Sequence, residues 1–303
     1  MKNELRKLKY LVERNIKLYF KDKMIFFVSL ITPLILIVLF LTFLDKTYES
    51  SLLAFVPEGV TLDTSIVKAF TGSWLFSSIM ATSCITVAFC SNMIVSDKIT
   101  KAVDDFRITP VKTSTMHISY LLSNFITTFI VCFVAFVISL IYLAIVGWYL
   151  NFVSILLILA NMIITILMGS LLASIIGLFI SSQGGLSAIC TLVSSMYGFL
   201  CGAYMPLSQF SETIRAFVSF IPGTYATVLF RQGYMNGILD KIGESLPPEA
   251  IDGIRSGFDG NFSFFGNNVP SWAMFLVLFL SVLLLFSIYI LCASLKNKKI
   301  KAR

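Results

Sequence analysis

The most constraining feature of the sequence is residues 113–211, which contain no Asp, Glu, Lys or Arg. Residues 24–44, 69–96 and 260–295 are also free of these charges, and only 13% of the whole chain is charged. Soluble domains carry roughly 25% charged residues, and a charge at the centre of a membrane helix costs about 2.5–3.5 kcal/mol. Because a membrane-crossing helix needs roughly 20 apolar residues, this pattern predicts an all-α polytopic membrane protein.

The apolar stretches predict six transmembrane helices. They cover residues 24–44, 72–95, 118–146, 152–180, 186–204 and 271–295. Pro33 is expected to kink the first of them. Residues 205–270 are predicted to form two short re-entrant helices in the outer leaflet, followed by an external cap. The domains are therefore an interfacial helix (1–23), a six-span domain (24–295) and a basic tail (296–303).

The N-terminal segment, residues 1–23, has the pattern of an amphipathic helix. Leu5, Leu8, Val12 and Ile16 recur at three- and four-residue steps, and charged residues fill most other positions. A basic amphipathic helix lies in the plane of the lipid headgroups, so an N-terminal interfacial helix is predicted. The alternative is an ordinary charged flank of the first span.

Basic residues are concentrated on one side of the predicted membrane. The N-terminus, the loop of residues 96–117 and the tail are rich in Lys and Arg, whereas the loops on the other side contain more Asp and Glu. Cytoplasmic loops carry the excess of Lys and Arg, so both termini are predicted to be cytoplasmic. Trp74, Trp148 and Trp272 fall at the predicted outer ends, where tryptophan favours the interface.

The sequence lacks the residues on which most catalytic chemistry depends. No GxxxxGK[ST] motif is present to hold ATP phosphates, His117 is the only histidine, and the six cysteines have no metal-ligand spacing. We therefore expect no catalytic residue, no metal site and no cofactor on this chain. The net charge of +7 arises from basic residues that flank apolar helices, so a nucleic-acid partner is not expected and the lipid bilayer is.

The predicted spans also contain no Asp, Glu, Lys or Arg. Ion-coupled transporters place such groups at mid-membrane to bind the coupling ion. The absence favours a transporter whose energy comes from a separate ATPase. An ion-coupled secondary transporter or a channel remains the alternative.

Residues 97–108 (DKITKAVDDFRI) predict a short cytoplasmic helix between the second and third spans. Thr109 precedes Pro110 and is therefore biased away from helical geometry, which ends the helix. We expect a rigid charged rod with Phe106 as an exposed aromatic anchor and Arg107 beside it. Such a rod can dock into a partner and transmit its motion, whereas an ordinary polar loop is the alternative.

Small polar residues recur at four-residue steps on two predicted spans. They can allow close helix packing with interhelical hydrogen bonds, or they can line a path for an amphipathic cargo beside Phe76, Met80 and Met196. The recurring residues are Ser78, Thr82 and Thr86 on the second span and Ser187, Thr191 and Ser195 on the fifth.

Two stretches resemble the ABC type 2 transporter permease family, and the similarity in layout extends over nearly the whole chain. Residues 97–116 (DKITKAVDDFRITPVKTSTM) are similar to the family's coupling-helix segment with its Thr-Pro-Val sequence. Residues 202–232 (GAYMPLSQFSETIRAFVSFIPGTYATVLFRQ) are similar to the family's stretch after the fifth span, including the Pro-x-Thr-Tyr turn. The Glu-Arg-Glu-rich coupling helix of many members is absent.

The resemblance implies a non-catalytic permease subunit of an ABC exporter in a bacterial plasma membrane. Family members pair with an identical or homologous permease and bind two ABC ATPase subunits, which hold ATP and Mg. Spans 2 and 5 would flank the pathway, and the cargo would be a drug, an antibiotic peptide or a lipid-like molecule. The Thr-Pro-Val form is most similar to drug and antibiotic exporters, including multidrug efflux proteins, and a lipid-linked polysaccharide is the alternative cargo. The implied coupling residues are Asp97, Lys98, Asp104, Asp105, Phe106 and Arg107.

Overall fold

The computed structural model describes residues 2–57 and 60–301, and this part of the chain is helical except for its connections and one short β-hairpin. The predicted all-α fold is confirmed. In chain order the elements are α1 (Lys2–Lys21), α2 (Lys23–Leu39), α3 (Asp45–Leu53), α4 (Thr64–Cys90), α5 (Met93–Ile99), α6 (Ala102–Arg107), α7 (Thr113–Val146), α8 (Phe152–Phe179), α9 (Gln183–Leu200), α10 (Glu212–Val218), α11 (Pro222–Gly243), α12 (Pro248–Gly257), β1 (Ser263–Phe264), β2 (Asn267–Asn268) and α13 (Ser271–Lys301).

The first two helices are joined by a single residue, Asp22. Its carboxylate accepts hydrogen bonds from the backbone amides of Met24 and Ile25, at 3.1 Å each, and so caps the start of α2. Such a cap satisfies amides that have no partner within the helix. The joint between α1 and α2 is therefore short and held by hydrogen bonds.

Within the described residues, four helices are long and apolar enough to cross a membrane. They are Thr64–Ile99, which comprises α4 and α5, and Thr113–Val146, Phe152–Phe179 and Ser271–Lys296. Two bent pairs raise the number to six if each pair is one span. They are Lys23–Ile31 with Pro33–Leu53, bent by 41°, and Glu212–Val218 with Pro222–Gly243, bent by 94°. The first bend lies at Pro33, where a kink was predicted, because proline removes a helical hydrogen bond.

The set of six differs from the predicted spans at the fifth member. The helix α9 lies at the position of the predicted fifth span, yet it is not among the six candidates, and the pair α10–α11 is. Glycine, serine and threonine are frequent in α9 and dilute its apolar character. The predicted six-span layout is therefore not reproduced in detail.

The helix α4 lies at the centre of the bundle and packs against α2, α7, α8, α9 and α11. In its most apolar window, 94% of the residues are buried inside the chain. Gly169 of α8 allows the close contact, because a Cβ atom there would lie 2.8 Å from the backbone oxygen of Cys84. Small residues at such crossings let helix backbones approach.

The helix α11 is longer and more deeply buried than the short outer-leaflet helix predicted there. It has 22 residues and packs against α4, α8 and α13. A Cβ atom at Gly237 would lie 1.8 Å from the backbone oxygen of Tyr149, and one at Gly233 would lie 2.6 Å from Ile158. These two glycines let α11 enter the bundle, so only the seven-residue α10 matches the expectation of a short helix.

The predicted single rod of residues 97–108 is wrong, because two helices cover this stretch. The helix α5 ends at Ile99, α6 begins at Ala102, and Lys101 between them has a left-handed backbone with φ of 63°. Left-handed geometry breaks a right-handed helix. The predicted end of the helical region before Thr109 is confirmed, since α6 ends at Arg107.

Candidate functional site

The charged loop, residues 96–117, is anchored at its first end by the carboxylate of Asp97. This side chain is 3% exposed. Both of its oxygens accept hydrogen bonds from the guanidinium of Arg14 on α1, and one also accepts from the hydroxyl of Tyr120 on α7 at 2.5 Å. A buried carboxylate needs such compensation. One aspartate therefore ties α5 to both α1 and α7.

Arg14 also contacts the aromatic ring of Phe106, with its guanidinium carbon 5.0 Å from the ring centroid. A cation over an aromatic face is attracted by the ring's quadrupole. Phe106 is consequently half-buried against α1. The prediction that Phe106 is an exposed anchor is therefore wrong, and this residue instead holds α6 to α1.

The second end of the charged loop is also bound to α1. The ammonium of Lys7 donates to the backbone oxygen of Pro110 at 2.7 Å, and Thr115 donates to the carboxylate of Glu4 at 3.0 Å. Hydrogen bonds from Lys7 and Thr115 hold the pKa of Glu4 below its ordinary value. The helix α1 thus contacts the charged loop at its beginning and at its end.

Lys98, a predicted coupling residue, turns towards α8. Its ammonium donates to the backbone oxygens of Gly177, Leu178 and Ile180, which lie at the end of that helix. Lysine side chains commonly satisfy the last carbonyls of a helix and interact favourably with its dipole. Lys98 therefore caps α8 and anchors the charged loop to it.

The exposed part of the charged loop is one face of α6 and the residues that follow it. Asp104 and Asp105 are exposed, and Ile108 is 87% exposed. The side chain of Arg107 lies outside the described part of the structure. Sequence reasoning missed Ile108, although carboxylates three and four positions before it indicate that it shares a solvent-facing side of the helix.

A groove runs between α2 and α9, and we call it the α2–α9 groove. Its volume is about 810 Å³, within the range of roughly 300–1,000 Å³ that is typical of ligand pockets. Three predicted pathway residues, Ser187, Thr191 and Ser195, line it, whereas Met196 is exposed on α9 without lining it. The facing wall is apolar and comes from α2, including Met24, Val28, Ile31 and Ile35.

The predicted pathway residues on α4 have a different environment. Phe76, Ser78, Met80, Thr82 and Thr86 are all buried inside the chain. The hydroxyls of Ser78 and Thr82 donate to backbone oxygens of their own helix, at 3.0 and 2.9 Å. Within one chain these residues therefore serve packing, and α9 supplies the accessible polar stripe.

At the opposite end of the bundle, a buried ion pair joins α11 to the segment after α12. Arg231, which is 0% exposed, donates to the carboxylate of Asp259 and to the backbone oxygen of Gly202. Its guanidinium lies 4.8 Å from the ring centroid of Trp74. Asp259 also accepts from the amide of Leu207 at 2.7 Å. Burial raises the pKa of Asp259, and the positive charge of Arg231 opposes that shift.

This buried arginine was not predicted as a site residue, because its partner is distant in sequence and nothing local to Arg231 indicates it. A second contact extends the junction to α3, where Tyr48 packs against Trp74 with ring centroids 4.1 Å apart and ring planes tilted by 39°. The hydroxyl of Tyr48 donates to the backbone oxygen of Tyr204 at 3.2 Å. Four other parts of the chain thus meet around Arg231. They are α3, α4, the segment after α9 and the segment after α12.

Among residues 2–57 and 60–301, no group of three or more His, Cys, Asp or Glu side chains is placed to hold a metal ion. Within the described residues, the four to six helices that are long and apolar enough to cross a membrane define a multi-pass membrane protein. The family model for the ABC-2 type transporter matches residues 6–235, and the chain belongs to this family. Its members are generally non-catalytic membrane components of ABC transporters. A comparison with curated proteins gave no match.

Proposed function

We propose that this chain is the permease subunit of an ATP-binding-cassette exporter that is driven by a separate ATPase. The contact of α1 with both ends of the charged loop carries the proposal, with Arg14 bound to Asp97 at one end and Lys7 bound to Pro110 at the other. Between these anchors, α6 and Ile108 form an exposed surface on which the ATPase can act. ATP and Mg are bound by that partner, of which each complex holds two copies.

Movement of the ATPase reaches the membrane through α1. A force on α6 acts on α1 through Arg14 and Phe106, which are in contact. The helix α1 continues into α2 through the single residue Asp22. Because α2 forms one wall of the α2–α9 groove, displacement of the charged loop changes the width of the groove.

The cargo is an amphipathic drug, an antibiotic peptide or a lipid-like molecule. The α2–α9 groove combines an apolar wall from α2 with a stripe of polar side chains on α9, which suits a molecule that has both apolar and polar parts. A second permease chain, identical or homologous, packs against the exposed face of α9, so that two grooves meet around a shared pathway. A lipid-linked polysaccharide is the alternative cargo. The termini lie in the cytoplasm of a bacterial cell, and transport is outward.

One observation favours the alternative of an ion-coupled carrier. Arg231 and Asp259 form a buried ion pair, and Arg231 belongs to a helix pair that could span the membrane. Ionisable residues inside a membrane commonly mark ion or substrate pathways. All the same, the carboxylate is bonded to the arginine and to a backbone amide, which suits a structural joint better than a site that exchanges protons.

The test is purification of the tagged chain from its native membrane with whatever it binds, followed by reconstitution into liposomes that contain ethidium as the transport probe. We expect a P-loop ATPase to co-purify and ethidium movement to require ATP and Mg. Ethidium movement that is driven by a proton gradient alone, with no ATPase present, would instead establish the ion-coupled carrier.

A further inference from the structure

Two cysteines from different helices lie side by side in the α2–α9 groove. Cys90 is the last residue of α4, and Cys190 lies near the middle of α9. Both are free thiols, both line the groove, and their thiol groups interact directly with each other. The helices α4 and α9 pack against one another. Neighbouring thiols on two packed helices have the arrangement from which a disulfide forms.

A second pair of neighbouring thiols provides a comparison within the same protein. Cys84 of α4 and Cys132 of α7 also interact with each other, but both are 0% exposed. Cys90 and Cys190 are only half-buried, and the groove gives access to them. Because a thiol must meet its oxidant to react, oxidation depends on exposure. The pair in the groove is therefore accessible to a reagent, and the buried pair is not.

Cys90 also lies at the joint between the central helix and the charged loop. After Cys90 the helix is interrupted at Ser91 and Asn92, and α5 begins at Met93. Asn92 has a non-helical backbone, with ψ of 84°, and its side-chain amide donates to the backbone oxygen of Ala173 on α8. The helix α9 packs against α4 and α5. A bond from Cys90 to α9 would therefore hold both sides of this joint.

We propose that Cys90 and Cys190 form a redox-responsive dithiol whose disulfide clamps α4 to α9 at the joint. A clamp at this position would prevent displacement of the charged loop from altering the groove. The effect on transport rests on the proposed function, whereas formation of the disulfide does not. Disulfides of cytosolic proteins are usually transient and regulatory. The reduced dithiol is therefore the working form and the disulfide the arrested form.

The oxidant in this proposal is a low-molecular-weight disulfide. The thiolate of one cysteine attacks that disulfide, breaks its sulfur–sulfur bond and releases one half as a thiolate. The second cysteine then attacks the mixed disulfide, forms the bond between Cys90 and Cys190 and releases the other half. The protons of the two cysteines end on the two released thiols, and the oxidant accepts both electrons.

The experiment exposes the full-length protein in liposomes, with whatever co-purifies, to the apolar disulfide 2,2′-dithiodipyridine. Remaining thiols are blocked with N-ethylmaleimide, and the protein is digested with chymotrypsin without reduction for mass spectrometry. We expect one peptide pair joined through Cys90 and Cys190, which dithiothreitol separates. Cys84 and Cys132 are the matched control and should stay unjoined. Recovery of Cys90 and Cys190 only as separate adducts, or joined to a second chain, would overturn the proposal.

A second measurement tests the clamp itself. ATP-driven ethidium movement is compared in each protein before and after oxidation. We expect oxidation to abolish movement in the natural chain and dithiothreitol to restore it. The double variant Cys90→Ser with Cys190→Ser should show no change on oxidation, which also controls for thiols on other chains. A joined peptide with unchanged ethidium movement would contradict the clamp.

Failure of the proposed function would give a different result. Ethidium would then not move with ATP even before oxidation. The joined peptide would still form, and the oxidised natural chain should unfold at a higher temperature than the reduced one, because a disulfide restricts the unfolded chain. The double serine variant should show no such increase. A joined peptide without a higher unfolding temperature would leave α4 and α9 unclamped and would overturn the proposal.

Discussion

Arg14 on the N-terminal helix and Asp97 at the start of the charged loop form a two-bond ion pair across 83 positions of sequence. The carboxylate is buried, and Tyr120 of α7 provides a third hydrogen bond. Because both terminal nitrogens of the guanidinium and both carboxylate oxygens take part, the pair fixes the orientation of α5 as well as its distance from α1. It is the contact through which we expect a partner's movement to enter the protein.

We expect Arg14→Ala to abolish stimulation of the partner ATPase while membrane insertion is preserved. The variant leaves Asp97 buried without its charge partner. The loss of stability should lie between the roughly 1 kcal/mol of an exposed pair and the about 3–5 kcal/mol of a buried one, since Arg14 itself is partly exposed. ATPase assays of the purified complex measure the effect. Lys9→Ala is the control, because Lys9 lies on the same helix, is exposed and forms only a long pair with Glu13.

Ile108→Asp should weaken binding of the ATPase without destabilising the permease. The side chain is 87% exposed, so a charge there disturbs no internal contact, whereas it disfavours burial in a partner's apolar cleft. Ile108→Val is the matched variant and should bind normally. Co-purification yields and thermal unfolding are the two measurements. Equal binding by both variants would mean that this residue does not contact the ATPase.

Arg231→Ala should lower the stability of the folded protein by about 3–5 kcal/mol, because it leaves a buried carboxylate unpaired. The double variant Arg231→Met with Asp259→Asn should recover much of that loss, since both charges are then absent. Thermal unfolding in detergent compares the two. A double variant no more stable than Arg231→Ala would contradict the assignment of Asp259 as the charge partner.

Gly237→Ala should destabilise the bundle, because the added methyl group would lie 1.8 Å from the backbone oxygen of Tyr149. Backbone cannot move aside as a side chain can, so we expect a loss of at least about 1–3 kcal/mol. Gly184→Ala, on the exposed start of α9, is the control, since nothing lies within 4 Å of a Cβ atom there. Thermal unfolding should separate the two variants clearly.

Ala188→Trp should convert a dimeric permease to monomers if the exposed face of α9 packs against a second chain. Ala188 is exposed and does not line the α2–α9 groove, so a bulky ring there would prevent close helix approach without filling the groove. Leu284→Trp places the same ring on the exposed side of α13 and should leave the oligomer intact. Light scattering coupled to size exclusion gives the mass. An unchanged dimer in Ala188→Trp would show that the interface does not include this position.

The features that could be predicted from sequence are those encoded locally. The amphipathic pattern of residues 1–23 predicted a helix, the Thr109–Pro110 pair predicted the end of the charged helix, and the four-residue spacing of Ser187, Thr191 and Ser195 predicted one shared face. Each depends on neighbours a few residues away. Those three residues do lie together along the α2–α9 groove.

The features that could not be predicted depend on distant contacts. The helix breaks at Lys101, which separates α5 from α6. Asp97 and Lys98 of α5 are held by contacts with α1, α7 and α8, and these helices are distant in sequence. The inward position of Phe106 requires Arg14, which comes from another helix. The position of α11 inside the bundle depends on glycines that contact Tyr149 and Ile158. The helical periodicity of the sequence does not predict which residues such glycines contact.

Asp22 is the whole of the connection between α1 and α2, and its hydrogen bonds to the following amides leave little slack. Because a single capped residue joins them, we expect a tilt of α1 along the charged loop to displace α2, which borders the α2–α9 groove. We therefore expect that inserting a few glycines after Asp22 would leave the charged loop and the α2–α9 groove in place and would still uncouple the partner's ATP hydrolysis from transport.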